Sequence, residues 1–599
     1  MLSRSPVISG ILFRSLLRPE GDAALRYTGF WAGLRDLVGS SMAPETLLEA
    51  VGRLDRDQAF ATLAMIAAGL ANSDDGIFGD EANAKTRRLL TEGFGTSPLE
   101  KIISAAVAKL ATNRPIVHAQ AIFTLQTMAI VRGTAGAEQS RDAYLAYLIL
   151  AVNDHIPEWP HLIANPVPSG EEMTETERLL VPLFLCGIFN RSSDDARFLL
   201  RILDVMGKVS ARPLPRGVSW DDVERQAFGC PFATYAEAFL VPMIILAKGW
   251  GFDRAPVMDA ATWDVTSTGG DLYRRWFKDA SIPIDQAVTA FADRPLRSGL
   301  FGLSRAFFRT PFLQVRGKLV ATSPWHLHDY ASLGTWDKLN RACKIALNSD
   351  SNEVFSSTFG YSFECWCADL AREADSASMH PTERLILPSA PGAADEIEDV
   401  VFQDGTQVVL FSAKASLVPE ARLKTADAPE DAIRWLRRFF FENAAAAKGH
   451  GHRGGAVCLL DKKAALIREG AFESVGIPRT ATIFPAIVCF DHVENSVLYK
   501  WLEEESAKRG LLFHRGDVRS VTVVNPDNYE ALMALRAKGR GICRLLSEKT
   551  EVKNKWRRLD DFLYHEVKDA LDLRFPSIKQ RFDALVSRSL ERIRPNPCV

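Results

Sequence analysis

Apolar residues recur along this chain with two different periods, and the change of period divides it. Over residues 1–291 the spacing is helical, with apolar stretches near 44–54, 58–72, 99–111, 116–131, 141–153, 175–206 and 234–248. Turns rich in Gly, Pro, Asn and Asp separate them. No fixed repeat links these segments, so this part reads as a helical regulatory or partner-binding region rather than a named repeat array. Between 292 and 344 the texture shortens: Pro311–Val315 and Lys318–Ala321 flank Arg316-Gly317, which predicts a small hairpin in a β-containing bridge.

From 345 to 545 helical and strand periods alternate. Phe355, Phe359, Phe363, Trp366 and Leu370 recur at helical spacing, with Glu364 at the edge of the stripe. Residues 397–402 and 407–414 are apolar runs around Asp404-Gly405, and Asp-Gly between β-branched and aromatic residues is a strong hairpin signal. With that pair as the turn, Phe402 faces Gln407 and Asp399 lies opposite Leu410. Asp395, Asp399, Ser412 and Lys414 then share one face, because side chains alternate. A helix over 429–447 opens on Pro429-Glu430-Asp431, as a missing amide and the helix dipole favour. Ala456–Leu460 has strand length, and 482–490 reads as a strand before a helix near 495–508. Strands interleaved with helices predict a mixed sheet flanked by helices. Residues 546–599 form a charged helical segment. The fold class is thus multidomain, α followed by α/β.

The chain has 599 residues, more than one core accommodates. Its 72 Lys and Arg balance 74 Asp and Glu, so any nucleic-acid surface has to be local. The longest apolar stretch, Ala238–Ala247, is about half the ~20 residues of a membrane span, so no membrane partner is expected. Val7–Phe13 is too brief for a secretory h-region, and nine scattered cysteines suit reduced thiols, so the expected location is cytoplasmic.

The hairpin, with an acid entering and a lysine leaving, resembles the PD-(D/E)xK, or restriction-endonuclease-like, nuclease superfamily, in which an Asp on one strand is followed by an acid-x-Lys signature on the next. The preceding helix with Glu364 strengthens the resemblance. It implies a restriction-endonuclease-like mixed sheet, catalytic roles for Glu364, Asp399 and Lys414, and Mg²⁺ or Mn²⁺ held by Glu364 and Asp399. Ser412 departs from the pattern by standing where the second acid belongs. Hydrolysing a phosphodiester needs an activated water and a counter-charge for the pentavalent phosphate, which carboxylate-held Mg²⁺ supplies. A hydroxyl is a weaker ligand. Either Glu364, Asp395 or Glu398 supplies the second charge, or the domain is inactive.

The function the resemblance implies is metal-dependent endonuclease activity, on DNA, as in restriction or phage-defence effectors. The alternative is a catalytically inactive nuclease-fold scaffold or nucleic-acid-binding protein. Nucleic-acid contact is expected from Arg434, Arg437 and Arg438 on the 429–447 helix and from His450, His452 and Arg453 in the following Gly-rich loop. Lys549, Lys553, Lys555, Arg557 and Arg558 form a second basic run, ordinarily a solvated face. His326 and His328 lack a third ligand and read as a surface turn. A protein partner is expected at the N-terminal helices.

Overall fold

The computed structural model describes residues 41–71, 119–137, 142–154, 173–178, 180, 195–248, 250, 256–258, 270–292, 307, 309–378, 382–388, 397–415, 429–442, 455–491, 493–513, 516–567 and 576–593. Helices α1 (Pro44–Val51), α2 (Arg56–Ala71), α3 (Ala119–Arg132) and α4 (Asp142–Asn153) come first, then α5 (Asp195–Gly207), α6 (Trp220–Phe228) and α7 (Phe232–Lys248). The helical periodicity marks most of these; the expected helix at 99–111 lies outside the described residues. α8 (Gly270–Ala280) and α9 (Ile284–Ala292) alternate with strands β1 (Val257–Met258) and β2 (Ser281–Pro283), ahead of β3 (Phe312–Val315) and β4 (Lys318–Ala321).

The small hairpin at 312–321 forms as its sequence predicts. Arg316 and Gly317 have φ of 49° and 78°, the positive angles a two-residue primed turn needs. It is not a separate bridge, however. Its sheet has the order β1-β4-β3-β2, so strands from 257–283 complete it across the expected boundary at 292. α10 (Pro324–Asp329) follows, with Ser323 accepting the His326 amide as its cap. His326 is therefore not on a surface turn. It is fully buried between Phe123 and Phe307, and Nδ1 lies 2.7 Å from the Thr322 hydroxyl. Burial alone pulls its pKa down to about 3, so the ring is neutral.

A π-helical turn at Tyr330–Gly334 leads into α11 (Thr335–Leu347), and the long α12 (Glu353–Ala377) is the helix expected before the hairpin. Phe355, Phe359, Phe363 and Trp366 are buried. Phe359 and Phe363 meet Phe490 edge-on, with centroids 5.0 and 5.3 Å away, while Trp366 meets Tyr529 at 5.9 Å. The five-stranded sheet comprises β5 (Arg384–Ile386), β6 (Val400–Asp404), β7 (Gln407–Lys414), β8 (Thr482–Cys489) and β9 (Thr522–Val524), in that order. β5, β6 and β7 run antiparallel; β7, β8 and β9 run parallel.

The crossover from β7 to β8 contains α13 (Pro429–Phe440) and α14 (Ala456–Glu469). Residues 456–460, expected as a strand, are the first turn of α14. The buried positions are Ala456, Val457, Leu460, Ala464 and Ile467, a helical stripe whose second half lies beyond the short apolar run. β8 carries Pro485 in its middle. Ile483 donates its amide to Asp517 on the β9 side, so Pro485 presents its missing amide to the same side. β9 pairs there only from Ala486 onward, and no ladder bond is lost.

α15 (Ser496–Lys508) and α16 (Pro526–Ala537) are capped by Asn495 and Asn525. α17 (Ile542–Lys549), α18 (Leu559–Glu566) and α19 (Pro576–Ile593) complete the chain. Residues of α12, α16 and α17 share one core with Val400, Phe402, Val409, Phe411 and Ala413. Those of α13 and α14 share another with Val401, Val408, Leu410 and Ile487, continuous with α1 to α4. Among the described residues no helix is long and apolar enough to cross a membrane.

Phe363→Ala is expected to destabilise the protein by about 3–5 kcal/mol, because it empties a fully buried site between Trp366 and Phe490. Denaturant melts should show a much smaller loss for Leu370→Ala, whose side chain sits at the margin of the same core.

Candidate functional site

The β6–β7 hairpin turns at Gly405-Thr406, not Asp404-Gly405: Asp404 pairs with Gln407 and Phe402 with Val409. Gly405 has φ 57°, and one glycine at the first loop position suffices when only that residue needs a positive angle. The register is two residues from the expected one, so Leu410 faces Val401 and Asp399 comes level with Ser412 and Ala413. The Ala413 amide donates to Asp399 Oδ2 at 2.7 Å.

The shared face is also altered. β6 begins at Val400, and residues 397–399 bend rather than continue the strand, so alternation stops there. Asp399 acts on the α12 side: Cys367 is pushed well up by burial and then by the charges of Asp399 and Glu364, and Tyr529 by burial, Cys367 and Asp399. Glu364, half-buried on α12, and Asp399 thus share Cys367 as a neighbour. Asp395 lies outside the described residues.

Glu398, the residue before Asp399, is equally buried. Burial, then the adjacent Asp399 charge, raises its pKa to about 7, against the lowering influence of Lys414, the Ser412 hydroxyl and Lys463 of α14. Ser412 is fully buried and its hydroxyl makes no well-aligned hydrogen bond, so its effect on Glu398 is that of a nearby dipole. Lys414 ends β7 opposite Cys489 of β8, half-buried. A second carboxyl beside Asp399 thus comes from the chain entering β6, not from position 412. Its tandem Glu398-Asp399 spelling was the available signal, while the bend that ends the strand there is not written in alternation. Lys463 was missed because its segment read as strand and loop.

These groups are hard oxygen donors beside two cations. Mg²⁺ commonly takes one or two carboxylates and keeps several waters, so Glu398 and Asp399, with Glu364 beside Cys367, are chemically suited to it. Among the described residues no group of three or more His, Cys, Asp or Glu is gathered to hold a metal ion.

Of the expected nucleic-acid contacts, Arg434 and Arg438 are exposed on α13. Arg437 is committed elsewhere, its Nη2 2.6 Å from the fully buried Glu177. His450, His452 and Arg453 lie outside the described residues. The basic run at 549–558 is largely paired. Lys549 is buried over the Tyr499 ring and donates to backbone carbonyls, Lys555 pairs with Glu503, and Arg558 with Asp560.

No family model, curated protein or solved structure matches the chain.

Two outcomes follow from this geometry. The folded pKa of Glu398 lies above its ordinary 4.5, so the folded state holds that proton more tightly; its stabilising contribution is complete below pH 4.5 and lost as pH rises to about 7. Glu398→Gln should abolish this loss, and denaturant titrations at pH 5 and pH 8 should show the variant gaining on the order of 2–3 kcal/mol over the parent at the higher pH only. On α13, Arg437→Ala should lower stability by about 1–3 kcal/mol by stranding Glu177. If α13 carries the expected nucleic-acid contact, reversing Arg434 and Arg438 weakens that binding in a salt-dependent way.

Proposed function

We propose that the 345–545 region is a divalent-metal-dependent endonuclease module that hydrolyses phosphodiester bonds in DNA, with Glu398 substituting for the acid missing at Ser412. The observation that carries this reading is the placement of Glu398, a buried carboxyl adjacent to Asp399 and acted on by Lys414, Lys463 and the Ser412 hydroxyl. The order α12, β5, β6, β7, crossover helices, β8, with the β7–β8 step parallel, supports the same reading. Glu398 and Asp399 would hold the metal, with Glu364 as a further acid. Bound there, Mg²⁺ supplies Lewis acidity toward the phosphoryl oxygen and lowers the pKa of a bound water. Lys414 orients the attacking water or stabilises charge on the phosphate, and Arg434 and Arg438 meet the backbone at a distance from the reacting atoms. The biological role proposed with it is a restriction or phage-defence effector whose N-terminal helices receive a protein partner.

One observation favours a second reading, an inactive nuclease-fold scaffold. Glu398 and Asp399 are only 6% and 8% exposed and Ser412 is sealed, so the acids are more enclosed than a substrate site ordinarily is.

Cleavage of supercoiled and single-stranded DNA with Mg²⁺ or Mn²⁺ separates the two. Glu398→Gln, Asp399→Asn and Lys414→Ala should each lower the rate by about 100-fold or more, whereas Ser412→Ala should cost less than about tenfold. Cleavage that survives the first three substitutions would place the activity elsewhere, and a parent protein inert with either metal favours the scaffold.

A further inference from the structure

α12 carries an aromatic residue that its packing does not use. The stripe of Phe355, Phe359, Phe363 and Trp366 faces the sheet, and Tyr361, two residues from Phe359, points about 200° away from it around the helix. Tyr361 is half-exposed. Arg212, exposed and just beyond a 3₁₀ turn at Val209–Ala211, reaches over its ring, 5.8 Å from the centroid. The guanidinium is fixed there by Ser357 of the same helix: Nη1 lies 2.9 Å from the hydroxyl and 3.4 Å from the carbonyl oxygen. A surface arginine is thereby tethered near the ring.

Tyr361 shares α12 with Glu364. Glu364 is three residues from Tyr361 on α12, and residues at that spacing are neighbours on a helix surface. The Tyr361 phenol is pushed up chiefly by the adjacent Cys365 thiol, with Glu364 contributing. Glu364 and Asp399 in turn both act on Cys367, whose thiol is raised mainly by burial.

A half-exposed ring beside a hydrogen-bonded guanidinium offers flat surface and one positive charge. An unstacked base can use the surfaces and its phosphate the charge, because every base has a π-face and stacking is tolerant of sequence. A duplex keeps its bases stacked on one another and can use the charge alone. We propose that Tyr361 and Arg212 form a contact for single-stranded nucleic acid, a base stacking on the ring and guanidinium while the outer N–H groups of Arg212 meet phosphate, on the helix that also carries Glu364. The purpose of this position rests on the nuclease reading; the binding itself does not.

The test uses the full-length protein in EDTA, with fluorescence anisotropy of a labelled oligothymidine and of a duplex of equal length. Tyr361→Ala and Arg212→Gln should each weaken the single-strand affinity by about tenfold and change the duplex affinity by less than about twofold, while Tyr361→Phe binds as the parent does. Unchanged melting temperatures confirm that the variants are folded. Single-strand affinity indifferent to Tyr361→Ala, an equal loss for strand and duplex, or a parent without single-strand affinity overturns the proposal. A parent that binds through Tyr361 yet cleaves no DNA sinks the nuclease reading and leaves this contact standing. A parent that cleaves while Tyr361→Ala binds normally does the reverse.

Discussion

Both faces of the five-stranded sheet are buried, one under α12, α16 and α17 and the other under α13 and α14, and this double coverage decides where polar chemistry can sit. Val408 to Phe411 of β7 are at most 1% exposed, so an ionised group along that stretch would be stripped of water without compensation. The carboxyl end of β7 is less enclosed at Lys414, which is half-buried, although Ser412 before it is sealed. Ser412 and Lys414 lie at the carboxyl end of β7, where β8 runs alongside in parallel and ends at Cys489. The bend at 397–399 delivers Glu398 and Asp399 to the same level. Crevices beyond the carboxyl ends of parallel strands are where open α/β sheets generally bind ligands, because elsewhere helices cover the sheet.

Burial also separates the roles of acids that look alike in sequence. Glu383 accepts the Ile542 and Cys543 amides and faces Arg536 at 3.2 Å. Glu494 is raised to about 7, by burial and Asp560, and accepts the Tyr499 hydroxyl, the Asn528 amide and the Leu559 backbone. Each ties a distant C-terminal segment to the body of the protein through fixed donors, as a buried carboxylate must be held if it is to be structural. Glu398 is set differently. What acts on it is a second carboxyl, two lysines and a hydroxyl, groups whose balance a ligand can change.

The sequence was most legible where one face of an element is large and apolar. Four aromatics at helical spacing located α12, and alternation around a glycine located β6 and β7. It was least legible where a contact spans the chain or an element departs from its period. The register slipped by two because either residue pair around Gly405 can form a two-residue turn. Ala456–Leu460 read as strand because a short apolar run has no period of its own. His326 read as exposed because its neighbours Phe123 and Phe307 are remote in sequence. Glu398 could be named as an alternative acid, yet the bend at 397–399 that ends the strand is dictated by no residue type.

The same limit explains Arg437, which looks like one of three equivalent cations on a basic helix. Its partner lies 260 residues away. Thr174 and Glu177 form a reciprocal capping box, the Thr174 hydroxyl accepting the Glu177 amide and the Glu177 carboxylate accepting the Thr174 amide. That carboxylate also receives Arg437 and the indole of Trp501, and with these donors its pKa falls below the ordinary value despite burial. A helix cap in the N-terminal region is therefore also the anchor of α13, so Arg434 and Arg438 are aimed by a residue of the N-terminal helical region.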